Sequence, residues 1–249
     1  MRCLKLYVLN LYFYTVFLLA SGVVIPTLTL FVALTRLFQT QRRAMKRFRR
    51  SISLYGRIIT SLPYPFIKLR YEPRGADGAA GPFIFVSNHQ SASDAFLMCV
   101  LPDEAVQIVN VWPFRIPVLG LYAKFSGYLN IRMMSPEEFI RRASQLLDER
   151  VSVIFFPEGT RSADGSLGSF HGAAFRLALA SRASVVPLCI TGNGNIPPKG
   201  SLLLRPGTIT VRRLSAITWD EYKDLTAFAF KNRVWKIIDR ELSTTENRT

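Results

Sequence analysis

The sequence predicts an α/β fold: a largely parallel central sheet flanked by helices, preceded by an N-terminal membrane-associated helix or helical hairpin. Three observations carry that expectation. From about residue 60 onward, short apolar runs rich in Val, Ile and Phe alternate with segments of helical period, the pattern of strands buried on both faces between helices. Polar turns follow several of those runs, and one of them holds one of only two histidines in the chain. Ahead of them, Leu6 to Thr35 contains no charged residue, a run longer than the roughly 20 residues that cross a bilayer.

The N-terminal run has Ser21-Gly22 and Pro26 near its middle. Two arrangements fit: one tilted spanning helix, or two shorter helices forming a hairpin that dips into one leaflet. A signal peptide fits poorly, because the run is long and no small-x-small cleavage site closes it. Arg36, Arg42, Arg43, Lys46, Arg47, Arg49, Arg50 and Arg57 crowd the downstream flank, only Arg2 and Lys5 stand upstream, and no acidic residue precedes Glu72. By the positive-inside rule the main body lies on the cytoplasmic side. The same cluster suits anionic headgroups, at on the order of 1 kcal/mol per Lys or Arg near the surface. The expected organisation is a membrane-associated helical segment with a basic flank, residues 1–55, and an α/β domain, residues 56–249. The net charge of +15 calls for anionic partners. Nucleic acid is not expected among them, since the basic residues abut an apolar segment and no nucleic-acid-binding motif accompanies them.

Strand candidates are Phe66–Tyr71, Phe83–Ser87, Ala105–Val109, Tyr128–Ile131, Ser152–Phe155, Val185–Ile190 and Thr208–Arg213. Helices are expected near Ser93–Val100, Pro136–Arg150, His171–Ser181 and Asp220–Leu242. The helix at Pro136 has the fullest start signal: Ser135 at the N-cap, proline in the first turn and Glu138 to complete a capping box. Phe139, Ala143, Leu146 and Leu147 give it one apolar face. Cys3, Cys99 and Cys189 are far apart in apolar stretches and read as buried free thiols, with no disulfide framework and no metal site.

The chemistry-bearing residues cluster behind the strands. His89 follows Phe83–Ser87, Arg132 follows Tyr128–Ile131, Glu158-Gly159-Thr160-Arg161 follows Ser152–Phe155, and Gly192-Asn193 follows Val185–Ile190. Ligands bind outside the carboxyl ends of strands in open α/β sheets, so these turns should meet on one edge. Five residues separate His89 from Asp94, which suits a turn leading into a helix. There the carboxylate can accept from Nδ1–H and leave Nε2 free to take a proton. No Gly-x-Ser-x-Gly nucleophile elbow occurs, so the activated hydroxyl would belong to a substrate; a structural histidine is the competing reading. The glycine, hydroxyls and arginine of Pro157–Ser162 can form an anion site, with Glu158 fixing the arginine or bonding a substrate hydroxyl; a plain surface turn is the alternative. His171 has no carboxylate at suitable spacing and reads as structural or solvent-facing. Asp164-Gly165 reads as an ordinary turn.

Asn88-His89-Gln90-Ser91-Ala92-Ser93-Asp94 and Phe156-Pro157-Glu158-Gly159-Thr160-Arg161-Ser162, in that order behind an apolar N-terminus, resemble the two hallmark blocks of the glycerolipid acyltransferases typified by 1-acylglycerol-3-phosphate acyltransferases. Val186-Pro187-Leu188-Cys189-Ile190 is similar to a later block of that family. The resemblance covers roughly residues 60–215. It implies transfer of a fatty acyl group from a thioester, acyl-CoA or acyl-carrier protein, to the free hydroxyl of a lysophospholipid acceptor in membrane lipids, with no bound cofactor. On this resemblance His89 is the general base and Asp94 its orienting partner. Glu158, Gly159, Thr160 and Arg161 form the acceptor block, Arg161 foremost as the phosphate ligand and Arg132 beside it. Two departures stand out. Gly127-Tyr128-Leu129-Asn130-Ile131-Arg132 lacks the aspartate of the family's middle block and is one residue shorter, and Asn110 and Val111 occupy the place of a lysine before Ile116-Pro117. They leave open a different lyso-lipid or glycolipid acceptor. From another class, a non-catalytic membrane lipid-binding protein is the remaining rival.

Overall fold

The computed structural model describes residues 2–74, 80–109, 122–123, 125–162, 166–194, 196–198 and 200–246. Asn110, Val111, Ile116-Pro117 and the Asp164-Gly165 turn lie outside the described residues, as does the side chain of Cys3.

The uncharged N-terminal run forms a single helix, α1 (Arg2–Arg36), which continues through Ser21-Gly22 and Pro26. Its hairpin partner is the basic segment that follows, α2 (Gln41–Ser61). One flank of α1 lies along the domain. Leu9 and Val32 are buried there, the Asn10 side chain donates to the Leu204 carbonyl at 2.9 Å and accepts the Leu204 N–H at 2.7 Å, and Ser21 Oγ meets Tyr55 Oη at 2.8 Å. Tyr14 Oη donates to the Leu202 carbonyl, and Thr29 hydrogen-bonds Tyr122. The opposite flank, including Leu4, Leu11, Leu18, Leu19, Val23 and Leu30, is exposed. In α2 the apolar residues Ala44, Phe48 and Ile59 point inward, while Arg43, Lys46, Arg47, Arg50 and Arg57 are exposed. Arg49 departs from that division: it is buried, donating to the Ser126 carbonyl and to Glu104, both at 2.9 Å, and Arg42 meets the same carboxylate at 2.8 Å. A charge taken out of water needs such partners.

Strands formed at all seven expected places: β1 (Ile67–Pro73), β2 (Ile84–Ser87), β3 (Ala105–Val109), β4 (Leu129–Asn130), β5 (Ser152–Phe155), β6 (Val185–Thr191) and β7 (Gly207–Arg213). They make one sheet in the order β1-β7-β6-β2-β5-β3-β4. Every neighbouring pair is parallel except β6 with β7. Side chains alternate between the faces: Ile84 and Val86 enter one core, Phe83 and Phe85 the other. The first core is covered by α4 (Pro136–Asp148), α5 (Ala173–Ser181) and α7 (Ala227–Glu246), through residues such as Phe139, Phe175, Phe230 and Ile238. The second holds Leu97, Leu188, Ile190 and Val211, with Phe13 of α1 packed against it.

Two helix details differ from expectation. Ser135 Oγ accepts the Glu138 N–H at 3.2 Å, but the Glu138 carboxylate turns outward to Arg142 at 2.7 Å, so the capping box is half made. The expected Asp220–Leu242 helix is two, α6 (Trp219–Tyr222) and α7, separated by a turn; a full capping box between Thr218 and Glu221 starts the first.

Candidate active site

β2 is buried along its whole length and delivers its polar turn to the carboxyl edge of the sheet. Asn88 anchors the turn: its buried amide donates to the Ile190 carbonyl at 2.8 Å and accepts the Ile190 N–H at 2.7 Å, tying the turn to β6. The chain then folds back into α3 (Asp94–Leu97), whose first residue is Asp94. This turn explains the five-residue spacing. Asp94 Oδ2 accepts the backbone N–H groups of Gln90 and Ser91 at 2.8 and 2.9 Å, and lies 2.7 Å from His89 Nδ1. Asp94 is wholly buried while His89 keeps 22% of its side-chain surface exposed. The imidazole rests on Phe156, with ring centroids 4.6 Å apart. Held by Nδ1 and open at Nε2, it has the arrangement of a general base. No Ser, Thr or Cys side chain bonds to it among the described residues.

The Pro157–Ser162 turn follows β5, the strand beside β2. It grips the backbone of His89 on both sides: Glu158 Oε1 accepts the His89 N–H at 2.7 Å, and the Ser162 N–H donates to the His89 carbonyl at 2.9 Å. Glu158 Oε2 accepts the Gly168 N–H at 2.9 Å, and the Gly168 carbonyl in turn accepts the Trp235 indole N–H of α7 at 2.8 Å. Glu158 is buried, which pushes its carboxyl above the usual range; the Gly168 and His89 N–H groups act against that rise. Both its oxygens are thus engaged with backbone N–H groups.

Gly159 adopts φ +68°, a left-handed conformation, and a Cβ there would lie 3.1 Å from the His171 ring. Gly159 and Thr160 are exposed and Arg161 is half-buried, all at the mouth of this turn. His171 is exposed, as expected, and lies against Gly159, a proximity its spacing did not reveal. Arg132 sits in a 3-10 turn (Ile131–Met133) after β4, its N–H capped by Asn130 Oδ1 at 3.1 Å, with an exposed side chain. The sheet order puts β4 three positions from β2, about 14 Å at 4.7–4.9 Å per strand. Arg132 shares the carboxyl edge but makes no contact with the His89 group among the described residues. Asn193, in the turn after β6, is buried and its amide donates to Asp94 Oδ1.

Cys99 and Cys189 are buried free thiols, and burial raises both, Cys189 to about 12. Neither is suited to act as a thiolate.

A family model described as Acyltransferase matches residues 68–191, from β1 to the end of β6 and including both motifs. The chain is 37% identical over 153 residues to a chloroplastic 1-acyl-sn-glycerol-3-phosphate acyltransferase, LPAT1, of Arabidopsis thaliana, covering 59% of this chain and 43% of that protein. It is 32% identical over 187 residues to 1-acyl-sn-glycerol-3-phosphate acyltransferase alpha of Mus musculus, covering 71% of this chain and 66% of that one. The match thus spans less than half the length of the chloroplast relative. The crystal structure of the 1-acyl-sn-glycerophosphate acyltransferase PlsC from Thermotoga maritima has the same fold, with a TM-score of 0.80 over 99% of this chain and 98% of that one, at 23% identity. Sequence and fold place both motifs on one shared scaffold, and the chain belongs to the acyltransferase family that includes the 1-acylglycerol-3-phosphate acyltransferases.

Proposed function

We propose that this protein is a membrane-associated acyltransferase that moves a fatty acyl group from a thioester donor to the free hydroxyl of a lysophosphatidate-like acceptor, in phospholipid synthesis. One observation carries the reading: His89 is held at Nδ1 by the buried Asp94 carboxylate at 2.7 Å, with Nε2 open and no protein nucleophile bonded to it among the described residues. A base without a nucleophile of its own serves a substrate hydroxyl.

In the proposed reaction His89 Nε2 takes the proton of the acceptor hydroxyl as that oxygen attacks the thioester carbonyl carbon. Asp94 stabilises the imidazolium that results. The tetrahedral oxyanion collapses, the C–S bond breaks, and the thiol of the carrier leaves with the proton returned by the imidazolium. No acyl-enzyme forms. Arg161, at the mouth of the second turn, is the proposed ligand for the acceptor phosphate, with Gly159 and Thr160 around it. Arg132 is proposed to act further out on the same edge. Glu158, bonded to His89 and Gly168, would shape the site rather than touch the acceptor.

We read residues 1–55 as the membrane-facing part and residues 56–249 as the catalytic part. α1 meets the domain from Asn10, at Leu204, to Thr29, at Tyr122, about 29 Å of helix at 1.5 Å per residue. A polar domain along that length would have to enter the hydrocarbon if α1 crossed it, so α1 lies in one leaflet with its exposed flank in lipid. The exposed basic side chains of α2 would face anionic headgroups on the cytoplasmic side.

The test is a panel of phosphorylated and unphosphorylated lyso-acceptors with acyl-CoA and acyl-carrier-protein donors, the products identified by mass spectrometry, and His89→Ala as control. Acylation of lysophosphatidate by the wild type alone supports the reading. Equal activity of a folded His89→Ala protein would end it. Product formed only from a lyso-lipid or glycolipid without that phosphate would favour the alternative acceptor, a reading kept alive by the distance of Arg132 from His89. Lipid binding without transfer would favour a non-catalytic role.

A further inference from the structure

Asp94 is wholly buried, and each of its oxygens is satisfied by N–H donors. Oδ2 takes the ring of His89 and the backbone of Gln90 and Ser91, all within the same turn. Those bonds follow from the way residues 88–94 fold. Oδ1 is different: its donor is the side-chain amide of Asn193, brought from the far side of β6.

Asn193 is built into place. Gly192 before it has φ +78°, and a Cβ there would collide with the Thr208 carbonyl oxygen, so glycine is required for the turn. The Asn193 carbonyl accepts the Ile196 N–H at 2.8 Å. The Ile196 carbonyl accepts both the Ser91 and Ser93 hydroxyls, at 2.9 and 2.8 Å, closing the β6 loop onto the His89 turn. Asn193 is wholly buried, yet its Oδ1 meets no donor among the described residues. Buried polar atoms are rarely left so, and a residue there for packing alone would not need an amide. Turning the amide over would set its oxygen against the carboxylate, so the orientation is dictated by Asp94.

We propose that Asn193 is a positioning residue of the active site, fixing the rotation of the Asp94 carboxylate so that Oδ2 faces His89 Nδ1. The terminal torsion of a carboxylate is soft, and Asn193 is the one described donor on Oδ1 that holds it from outside the turn. This rests on the proposed function, because it gives Asn193 its role through His89.

The test compares Asn193→Ala, Asn193→Asp and Asn193→Thr with the wild type and His89→Ala, in the acyl-transfer assay, with melting temperature and circular dichroism recorded for each. The alanine variant should lose about 10- to 100-fold in kcat, as outer partners of a functional histidine do, with KM for donor and acceptor held within about threefold. Asn193→Asp, which sets a second carboxylate against Asp94, should fall below the alanine variant. Asn193→Thr, whose hydroxyl can donate, should recover part of the loss. Threonine and aspartate keep the test decisive if the alanine variant does not fold. A folded Asn193→Ala protein with kcat within twofold of wild type overturns the proposal, as does a loss confined to KM or to the folded fraction. A wild type that transfers no acyl group overturns the function on which the proposal rests; a wild type that acylates while His89→Ala does not, with Asn193 variants unaffected, overturns the proposal alone.

Discussion

The carboxylate of Glu158 accepts the backbone N–H of His89 at 2.7 Å, so one motif holds the other in place. With its other oxygen on Gly168, the same side chain joins three stretches of chain that the sheet brings to one edge. Glu158→Gln keeps the shape, but its NH₂ must face one of two N–H donors. We expect a loss in kcat of about 10²-fold for Glu158→Gln, on the scale of misplacing a reacting group, with KM for the acceptor little changed. Steady-state kinetics decides: a large rise in acceptor KM at constant kcat would mean that Glu158 binds substrate directly.

His89→Ala should lower kcat by about 10²- to 10⁴-fold, the range for loss of a general base. Binding of the acceptor, measured by calorimetry with lyso-lipid in detergent micelles, should persist. Asp94→Asn should also be poorly active, because a neutral amide cannot stabilise the imidazolium and its NH₂, set where Oδ1 lies, would face the Asn193 amide donor.

Arg161→Ala should weaken use of a phosphorylated acceptor by about 10- to 100-fold in kcat/KM, the worth of a hydrogen bond to a charged group. Arg132→Ala should change it by less than about fivefold, as expected of an exposed charge lying further along the edge. Activity ratios between phosphorylated and unphosphorylated acceptors measure both. The reverse ranking would assign the phosphate to Arg132.

Glu104 joins α2 to the sheet through Arg42 and the buried Arg49. Burial pushes its carboxyl up, but the hydrogen bonds from Arg42 and Arg49 outweigh that and hold it below the usual 4.5. A carboxyl lowered in the folded state stabilises it fully above the unfolded value and loses that contribution as pH falls through the folded one. Stability should therefore decline below about pH 4.5, and Glu104→Gln should flatten that decline. At neutral pH Glu104→Gln leaves Arg49 buried with a neutral partner, at a cost of about 3 kcal/mol. Melting curves in detergent from pH 3 to 7 test both statements.

Leu202 is 75% exposed on the loop that Asn10 and Tyr14 fasten to α1. Leu202→Asp with Leu203→Asp should reduce binding to anionic vesicles in a sedimentation assay by about tenfold or more, while leaving activity on micellar acceptor intact. Unchanged sedimentation would place this loop away from lipid.

The sheet was legible because each strand is a short apolar run closed by polar residues; β2, β5 and β6 are buried along nearly all their length. His89 and Asp94 were legible because a local turn joins them. Glu158 was assigned to the right turn, but its partners were not foreseeable: both are backbone N–H groups, at residues 89 and 168, that any sequence would offer. Asn193 stood in a turn marked as polar, and only the folding of β6 beside β2 brings it to Asp94. The split after Tyr222 was hidden because Lys223 and Asp224 suit a helix as well as a turn. The continuity of α1 was one of two arrangements that Gly22 and Pro26 left open. Proline removes one backbone donor, and a helix this long retains enough other hydrogen bonds to run on.

α1 is apolar all the way round, and such a helix has no intrinsic reason to show lipid one side rather than another. Asn10, Tyr14 and Ser21 fall within about 40° of one another at 3.6 residues per turn; the first two bond Leu204 and Leu202 of the domain, and the third bonds Tyr55 of α2. The domain thus sets both the azimuth and the axial register of a helix that hydrophobicity alone would leave free to spin and slide.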